Sequence, residues 1–267
     1  HDFIKKNLKL LIFFASMSRI IIMKKIAIII PSRLEAARLP NKPLKLIEGK
    51  EMILHVHDLA LKSQVGEVIV ATPDEEIANT VNNHGGKAVI TKNNHNTGTD
   101  RVYEVFEKLL KNKVEIIINL QGDMPNLNPK AINYLSSYME KNSCDIATLA
   151  SNIHKEEELS DKNICKAATN NDISKCNFSR AVDFFRKKEN TSDYFIYHHI
   201  GIYAFTSEAL VRYVNLKRSK LEIERNLEQL RALENDMKID LGYVNTFPLS
   251  VDTEEDLKKI RIIMENK

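Results

Sequence analysis

The sequence predicts an α/β fold in which a mostly parallel β-sheet is covered by helices on both faces. From Met23 onward, short apolar runs rich in β-branched residues alternate with amphipathic stretches, which is the pattern of successive β-α-β units. The strongest runs are apolar throughout, as expected for parallel strands that are buried on both faces. The 267 residues are 43% hydrophobic, which suffices for the core of one large domain or two small ones.

The first half of the chain contains most of the clear elements. We expect strands over residues 25–30, 67–71 and 87–91, and helices over residues 49–61 and 74–81. Thr97, Gly98, Thr99 and Asp100 are typical helix-capping residues, and they predict a helix that continues to Leu110.

The second half continues the alternation less regularly. We expect strands over residues 114–120, 145–150, 197–205 and 238–244, and helices over residues 129–141, 221–236 and 253–265. The helix over residues 221–236 is long and highly charged. Residues 152–163 and 185–193 are charged and weakly periodic, and we interpret them as excursions from the main fold.

The composition excludes several classes of protein. A net charge of +3 with 28% charged residues is too small and too mixed for a nucleic-acid-binding face, so we expect no nucleic acid partner. Cys144, Cys165 and Cys176 are odd in number and lack metal-ligand spacing. We therefore expect free thiols in a reducing compartment and no structural zinc site.

Residues 1–22 have the outline of a signal peptide, since Lys5, Lys6 and Lys9 precede an apolar run over residues 10–15. That run is too short to span a bilayer and lacks a clear cleavage site. We favour a spurious or frayed extension of a single domain over residues 23–267, with no integral membrane segment. The signal peptide stays open as the alternative.

A basic loop over residues 31–43 directly follows the first predicted strand. It carries Arg33, Arg38 and Lys42 among three prolines, which fix φ and reduce the entropy lost when the loop is ordered. Arginine binds phosphate through a planar fork of donors and lysine binds it as a point charge, so the combination suits a triphosphate. The glycines and the Lys-Ser/Thr pair of a Walker A loop are missing. The alternative is a solvated basic connection without a ligand.

Two aspartates are candidates for a metal site. Asp123 follows the strand over residues 114–120, at the carboxyl end where ligands bind in such sheets, and Gly122 beside it permits close approach. Asp252 precedes the last predicted helix. If the fold pairs them, carboxylates about 4 Å apart repel by roughly 4 kcal/mol at an effective dielectric constant near 20, and Mg²⁺ would remove that repulsion. The alternatives are a turn role for Asp123 and helix capping by Asp252 or Thr253.

Eight short motifs follow one another along the chain. They are Ile30-Pro31-Ser32-Arg33 through Arg38-Leu39-Pro40-Asn41-Lys42-Pro43-Leu44, Val70-Ala71-Thr72-Pro73-Asp74, Thr97-Gly98-Thr99-Asp100-Arg101, Asn119-Leu120-Gln121-Gly122-Asp123, Phe178-Ser179-Arg180-Ala181, His199-Ile200-Gly201-Ile202-Tyr203, Leu227-Glu228-Gln229-Leu230-Arg231 and Val251-Asp252-Thr253-Glu254-Glu255-Asp256-Leu257. Each motif alone is weak. In this order, however, the chain resembles the 3-deoxy-manno-octulosonate cytidylyltransferase family from about residue 24 to the C-terminus.

The resemblance implies a three-layer, Rossmann-like nucleotidyltransferase sandwich with a small dimerisation subdomain, for which residues 151–220 are the candidate segment. It implies a homodimeric enzyme that joins CTP and the sugar acid 3-deoxy-manno-octulosonate (Kdo) into CMP-Kdo and pyrophosphate, with Mg²⁺ as cofactor. It further implies a cytoplasmic location and a role in lipopolysaccharide biosynthesis.

The resemblance also assigns roles to individual residues. It places Arg33, Arg38 and Lys42 on the triphosphate and Asp123 and Asp252 on Mg²⁺, in agreement with the interpretation of the loop and the aspartates. The catalytic candidates are Arg33, Lys42 and Asp123. The other implied nucleotide contacts are Ala71, Thr72, Asp74, Gly98, Thr99 and Arg101. The implied contacts to the sugar acid are Gln121, Arg180, His199, Tyr203, Glu228 and Gln229.

The chain departs from the family pattern around the sugar pocket. Met124 stands where glutamate is usual, His198 stands where arginine is common, and residues 247–250 lack the usual glycine. The segment between Arg180 and His199 also looks short. Two rival functions therefore stay open: a cytidylyltransferase for another sugar acid, such as a sialic acid, and a catalytically weak CTP-binding protein.

Overall fold

The computed structural model describes residues 25–35, 38–187 and 193–266, so the predicted extension over residues 1–22 lies outside the described residues. The strands are β1 (Ile26–Pro31), β2 (Leu46–Ile47), β3 (Lys50–Glu51), β4 (Glu67–Thr72), β5 (Ala88–Ile90), β6 (Ile116–Leu120), β7 (Ile146–Ser151), β8 (Lys166–Thr169), β9 (Phe178–Phe185), β10 (Phe195–Thr206) and β11 (Ile239–Tyr243). The helices are α1 (Met52–Ser63), α2 (Glu75–Asn83), α3 (Gly98–Val105), α4 (Pro129–Lys141), α5 (Glu157–Ser160), α6 (Ile173–Cys176), α7 (Ser207–Asn215), α8 (Lys220–Arg225), α9 (Gln229–Leu233) and α10 (Glu254–Glu265). A 3-10 turn covers Lys42–Leu44, and one π-helical turn, Phe106–Leu110, extends α3.

One large sheet runs through the described residues in the strand order β5-β4-β1-β6-β10-β7-β11-β9-β8. The β5-β4-β1-β6 half is parallel. Beyond it, β10 runs antiparallel to β6 and β7, while β11 runs parallel to β7. The strand β9 pairs antiparallel with β11, and β8 pairs antiparallel with both β9 and β10. The predicted α/β fold is confirmed, and its sheet is parallel in the N-terminal half and mixed in the C-terminal half.

Successive side chains of the central strands enter two separate cores. In β1, Ile28 and Ile30 pack in one core with residues of α1 and α4, whereas Ala27 and Ile29 pack in the other with residues of α3 and α7. All four are completely buried. Helices therefore cover both faces of the sheet, and this two-sided burial explains why β1 is apolar without alternation.

A third, smaller core determines where the basic loop lies. Leu39 from that loop packs with Val251 and with Leu257 of α10. The contact joins the loop to the segment that precedes α10. It thereby brings Lys42 and Asp252 to the same end of the sheet although they are 210 residues apart in sequence.

The segment over residues 221–236 is not the single long helix predicted. It contains two short helices, α8 and α9, because Asn226 between them adopts the left-handed conformation with φ of 52°. Asparagine is one of the few residues other than glycine that adopt this conformation readily. The turn places Glu228 and Gln229 at the start of α9 rather than on a continuous helix face.

The strands β8 and β9 were not predicted. β8 has only four residues, two of them alanine, and β9 carries charged residues within its apolar run, so neither has the pattern of a buried strand. Part of the predicted excursion over residues 185–193 lies outside the described residues. Among the helices that are described, none has the length and apolar character needed to cross a membrane.

Candidate functional site

Two adjoining cavities lie beyond the carboxyl ends of β1 and β6. The smaller one, of about 350 Å³, lies against the basic loop and is lined by Arg33, Lys42 and Arg101; we call it the loop cavity. The larger one, of about 590 Å³, is lined by His199 and Tyr203, and we call it the large cavity. The residues that line both cavities are Arg38, Gln121, Asp123, Glu228 and Asp252. A ligand in either cavity therefore meets the two candidate metal ligands.

The boundary between the cavities is built around Lys42, whose ammonium lies between two carboxylates. Its Nζ is 3.0 Å from Oδ2 of Asp123 and 3.0 Å from Oδ1 of Asp252. The amide of Val251 donates to the carbonyl of Asp123 over 2.9 Å, which ties the two aspartate-bearing segments together. The structure thus brings together the pair of aspartates that the sequence analysis considered.

The charges of this centre support one another. Burial disfavours the ammonium of Lys42, but the two carboxylates outweigh burial and raise the pKa of Lys42 above its ordinary value. Burial likewise disfavours the carboxylate of Asp252, but Lys42 and Arg38 outweigh it and lower the pKa of Asp252. Both groups are charged at neutral pH, and the lysine supplies the positive charge that two neighbouring carboxylates require.

The donor set of this centre suits Mg²⁺. That ion prefers oxygen ligands and is usually held by one or two carboxylates together with substrate phosphates and water. Asp123 and Asp252 provide two carboxylates where the cavities meet. In residues 25–35, 38–187 and 193–266, no group of three or more histidine, cysteine or acidic side chains could hold a metal ion by itself. The remaining ligands would therefore come from substrate and water.

The two arginines of the basic loop have different surroundings. Arg38 lies 3.1 Å from Asp252 and donates to the side-chain oxygen of Asn163 over 3.3 Å. Arg33 is half exposed, lines the loop cavity and lies 4.0 Å from Glu35. Both guanidinium groups border the cavity that a polyanion would enter.

The start of α3 forms another wall of the loop cavity. A capping box of Thr97 and Asp100 begins the helix, and Gly98 and Arg101 line the cavity. Arg101 is buried and donates to Thr91 Oγ1 over 2.5 Å and to the Lys92 carbonyl over 3.1 Å. Burial and the nearby Arg33 lower the pKa of Arg101 below its ordinary value. Residues that were predicted to contact the nucleotide therefore line this cavity from two segments, the basic loop and α3.

Three residues predicted to surround the base do not lie on the wall of either cavity as formed by the described residues. Ala71 and Thr72 are completely buried at the end of β4, which lies between β1 and β5. The carboxylate of Asp74 accepts a hydrogen bond of 2.8 Å from the amide of Leu34. In this structure these residues lie behind the basic loop, and their direct contact with the base stays a prediction.

The large cavity gathers polar residues predicted to contact the sugar acid. Glu228 accepts a hydrogen bond of 2.8 Å from the hydroxyl of Thr99, and burial raises the pKa of Glu228. Burial lowers the pKa of His199 to about 3, so its ring is neutral, and raises the pKa of Tyr203 well above the ordinary value. Gln121 and Gln229 also line this cavity. The lining thus offers hydrogen-bond donors and acceptors suited to several hydroxyl groups.

Arg180 does not lie in this cavity. Its Nε is 3.0 Å from Oδ1 of Asp240, its partner in the neighbouring strand β11. Besides Arg38, the large cavity is lined by Arg186, which the sequence analysis missed. It directly follows β9, which the sequence analysis did not recognise as a strand and which runs antiparallel to its neighbours β11 and β8. The rule that selected Asp123 concerns the ends of parallel strands and does not extend to it.

The departures from the family pattern also lie in the large cavity. Met124 is buried in its lining, and residues 247–250 form part of its wall. His198 contacts Glu158 through Nδ1 over 3.0 Å, and its ring lies 4.0 Å from the ring of Phe247. These contacts give His198 a role within the wall.

Known proteins resemble this chain over most of its length. A family model described as cytidylyltransferase matches residues 27–239. The chain is 43% identical over 238 residues to the 3-deoxy-manno-octulosonate cytidylyltransferase of Bartonella tribocorum, covering 89% of this chain and 97% of that protein. It is 40% identical to the enzyme of the same name from Paramagnetospirillum magneticum, again covering 89% of this chain and 97% of the relative.

Solved structures show the same relationship. A CMP:2-keto-3-deoxy-manno-octonic acid synthetase complexed with CTP superposes with a TM-score of 0.81 at 35% identity, covering 91% of this chain and 99% of that one. A 4-diphosphocytidyl-2C-methyl-D-erythritol synthase from Anaerococcus prevotii superposes with a TM-score of 0.60 at 13% identity, which supports the fold alone. The fold is therefore that of nucleotidyltransferases.

Proposed function

The chain belongs to the 3-deoxy-manno-octulosonate cytidylyltransferase family, and from this premise we propose that it transfers CMP from CTP to the anomeric hydroxyl of Kdo and releases pyrophosphate. The observation that carries the proposal is the position of Asp123 and Asp252. They stand where a cavity beside a basic loop meets a cavity whose polar lining includes Arg38 and Arg186. A triphosphate in the first and a sugar acid in the second would meet at these carboxylates.

The loop cavity provides the charge that a triphosphate requires. Arg33, Arg38 and Lys42 all line it, so three cations are available to bind phosphate oxygens. In the transfer, the anomeric oxygen forms a bond to the α-phosphorus while the bond to the pyrophosphate oxygen breaks, and the hydroxyl proton is released. Positive charge from Arg33 and Lys42 would stabilise the negative charge that develops on the leaving pyrophosphate.

We propose that Mg²⁺ is the cofactor and that Asp123 and Asp252 hold it. When bound, the ion would neutralise and polarise the phosphate that is transferred. The protein contributes the two carboxylates and the fixed positions of the segments that carry them. The amide of Val251 maintains that arrangement through its hydrogen bond to the Asp123 carbonyl.

The sugar acid would lie in the large cavity. Its carboxylate would pair with Arg186, and its hydroxyl groups would bond to Gln121, Glu228 and Gln229. His199 is neutral and contacts the Thr148 hydroxyl through Nε2 over 2.9 Å. It would help to shape the pocket without adding charge.

The biological setting follows from the family and is also a proposal. We propose a homodimer that works in the cytoplasm and supplies activated Kdo for lipopolysaccharide biosynthesis. Sedimentation velocity would establish the number of chains in the assembly. A monomer that retains full activity would contradict the dimer.

The test of the function is pyrophosphate release from CTP and Mg²⁺ with Kdo, with a sialic acid or without any sugar, using Asp123→Ala as the inactive control. Release that depends on Kdo would support the proposal. Release only with the sialic acid would indicate that the acceptor is another sugar acid instead of Kdo. Binding of CTP without release for any sugar would indicate a catalytically weak nucleotide-binding protein.

A further inference from the structure

Lys166 is a buried lysine with no part in the chemistry proposed above. It begins β8, and its solvent exposure is 0%. Lysine is almost never completely buried unless its charge is paired. Among the described residues, no carboxylate forms a salt bridge with Lys166, so its burial needs another explanation.

The ammonium of Lys166 is satisfied by three backbone carbonyl oxygens. It donates to the carbonyls of Asp161 and Ile164 over 2.8 Å each, and to the carbonyl of Arg186. A protonated lysine has three N–H donors and no acceptor, so these oxygens use its whole hydrogen-bonding capacity. Two of them belong to the turn over residues 161–164 that precedes β8, and the third belongs to the residue that follows β9.

Both segments held by Lys166 line the large cavity. Asp161, Asn163 and Ile164 of the turn reach its wall, and so does Arg186. The guanidinium of Arg186 also donates to the carbonyl of Asn163 over 2.7 Å and to that of Lys162 over 3.3 Å. The turn and Arg186 are therefore joined at two points, through the main chain by Lys166 and through the side chain of Arg186.

The turn is also linked to Asp252, one of the two candidate metal ligands. The side-chain oxygen of Asn163 accepts a hydrogen bond from Arg38, which in turn lies 3.1 Å from Asp252. A shift of the turn would therefore change the surroundings of Arg186, and it would change those of Arg38 through the hydrogen bond to Asn163. Among these side chains, Lys166 is the one that contacts both the turn and the Arg186 backbone yet does not line either cavity.

We propose that Lys166 is a positioning residue for the sugar acid. By holding the turn over residues 161–164 against the Arg186 backbone, it fixes the direction from which the Arg186 guanidinium meets the substrate carboxylate. This inference rests on the proposed function, in which Arg186 binds that carboxylate. Binding groups must be held within fractions of an ångström by a supporting layer of contacts, and Lys166 supplies that layer here.

The test is the kinetics of Lys166→Met, which keeps the length and the apolar stem of the side chain but removes all three donors. We expect the KM for Kdo to rise at least about tenfold and the KM for CTP to change less than about twofold. Lys166→Gln, which retains two N–H donors, is expected to give a smaller increase and serves if the methionine variant folds poorly. Lys162→Ala, a substitution of an exposed neighbour, is the control and should change neither constant.

A double-mutant cycle with Arg186→Ala shows whether Lys166 acts through Arg186. If it does, Lys166→Met raises the KM for Kdo much less in the Arg186→Ala background than in the unsubstituted enzyme. Equal increases in both backgrounds would overturn the proposal. So would parallel changes in both KM values, or a lower melting temperature with both KM values unchanged, since these indicate a purely structural role.

The failure of this inference is distinct from a failure of the proposed function. If the unsubstituted enzyme transfers CMP to Kdo and the KM values of the Lys166 variants are unchanged, only the positioning role is overturned. If the unsubstituted enzyme transfers nothing to Kdo, the proposed function falls and the positioning role falls with it.

Discussion

Replacing Lys42 by methionine tests whether its ammonium competes with a metal ion for the same two carboxylates. Lys42→Met keeps the side-chain length but removes the charge that lies 3.0 Å from both Asp123 and Asp252. We expect the variant to bind Mn²⁺, used in place of Mg²⁺, more tightly than the unsubstituted protein when no nucleotide is present. We expect it to bind CTP more weakly, because it has lost one of the cations that line the loop cavity.

The magnitude follows from the geometry. An ammonium and a carboxylate 3.0 Å apart attract each other by about 5.5 kcal/mol at an effective dielectric constant near 20. Desolvation of the lysine offsets most of this attraction, and the 38% exposure of the Asp252 side chain screens the second contact. A net cost of about 1–2 kcal/mol for displacing the lysine is reasonable for such a site. Removing it should strengthen Mn²⁺ binding about 5- to 30-fold.

The assay is an electron paramagnetic resonance titration of free Mn²⁺ with nucleotide-free protein. Lys45→Met is the matched control, because Lys45 is a nearby lysine that pairs with Glu254 at 3.6 Å instead of with the two aspartates. Equal or weaker Mn²⁺ binding by Lys42→Met would refute the reasoning. It would mean that the carboxylates between which Lys42 lies do not form the metal site.

Three further predictions follow. Asp123→Ala should lower kcat about 100-fold or more while changing the Kd for CTP less, and unchanged turnover at saturating Mg²⁺ would refute its metal role. Arg186→Ala should raise the KM for Kdo about tenfold or more, whereas Arg180→Ala, the matched control, should change it less than about twofold. A larger increase for Arg180→Ala than for Arg186→Ala would support the sequence-based prediction that Arg180 binds the sugar acid. His199 has a folded-state pKa of about 3, whereas an unfolded histidine titrates near 6.5. The unfolded state therefore binds more protons, and the stability of the fold decreases as the pH drops below about 6.5. In urea denaturation at about pH 7.5 and about pH 5, His199→Gln should lose about 2 kcal/mol less stability than the unsubstituted protein, and an equal loss would contradict the neutral buried ring.

Much of the fold was predictable because the strongest signals are local. The strands β1, β4 and β6 are apolar runs buried on both faces, and α4 begins with Pro129 at a position that favours helix starts. The prediction was wrong over residues 221–236, where the helical pattern is continuous. There the conformation of a single residue, Asn226, ends one helix before the next begins, and periodicity does not report it.

Site residues were predictable where they come directly after a strand that the sequence pattern identifies. Asp123 comes immediately after a buried strand, and this position alone made it a candidate. Arg186 was missed, because it follows β9, which was not recognised as a strand and runs antiparallel to its neighbours. The resemblance to the family instead selected Arg180, which lies within β9 and pairs across the sheet with Asp240.

The sequence alone was sufficient for the alternation of strands and helices, the family, and the chemical types of the site residues, because each depends on neighbours in the chain. The tertiary structure decided which charges meet. Lys42 and Asp252 are 210 residues apart, and their contact depends on the small core in which Leu39 packs against Val251 and Leu257. The burial of Lys166 among three carbonyls likewise depends on the pairing of β8 with β9. Such contacts are set by packing between distant segments, and local sequence patterns carry no record of that packing.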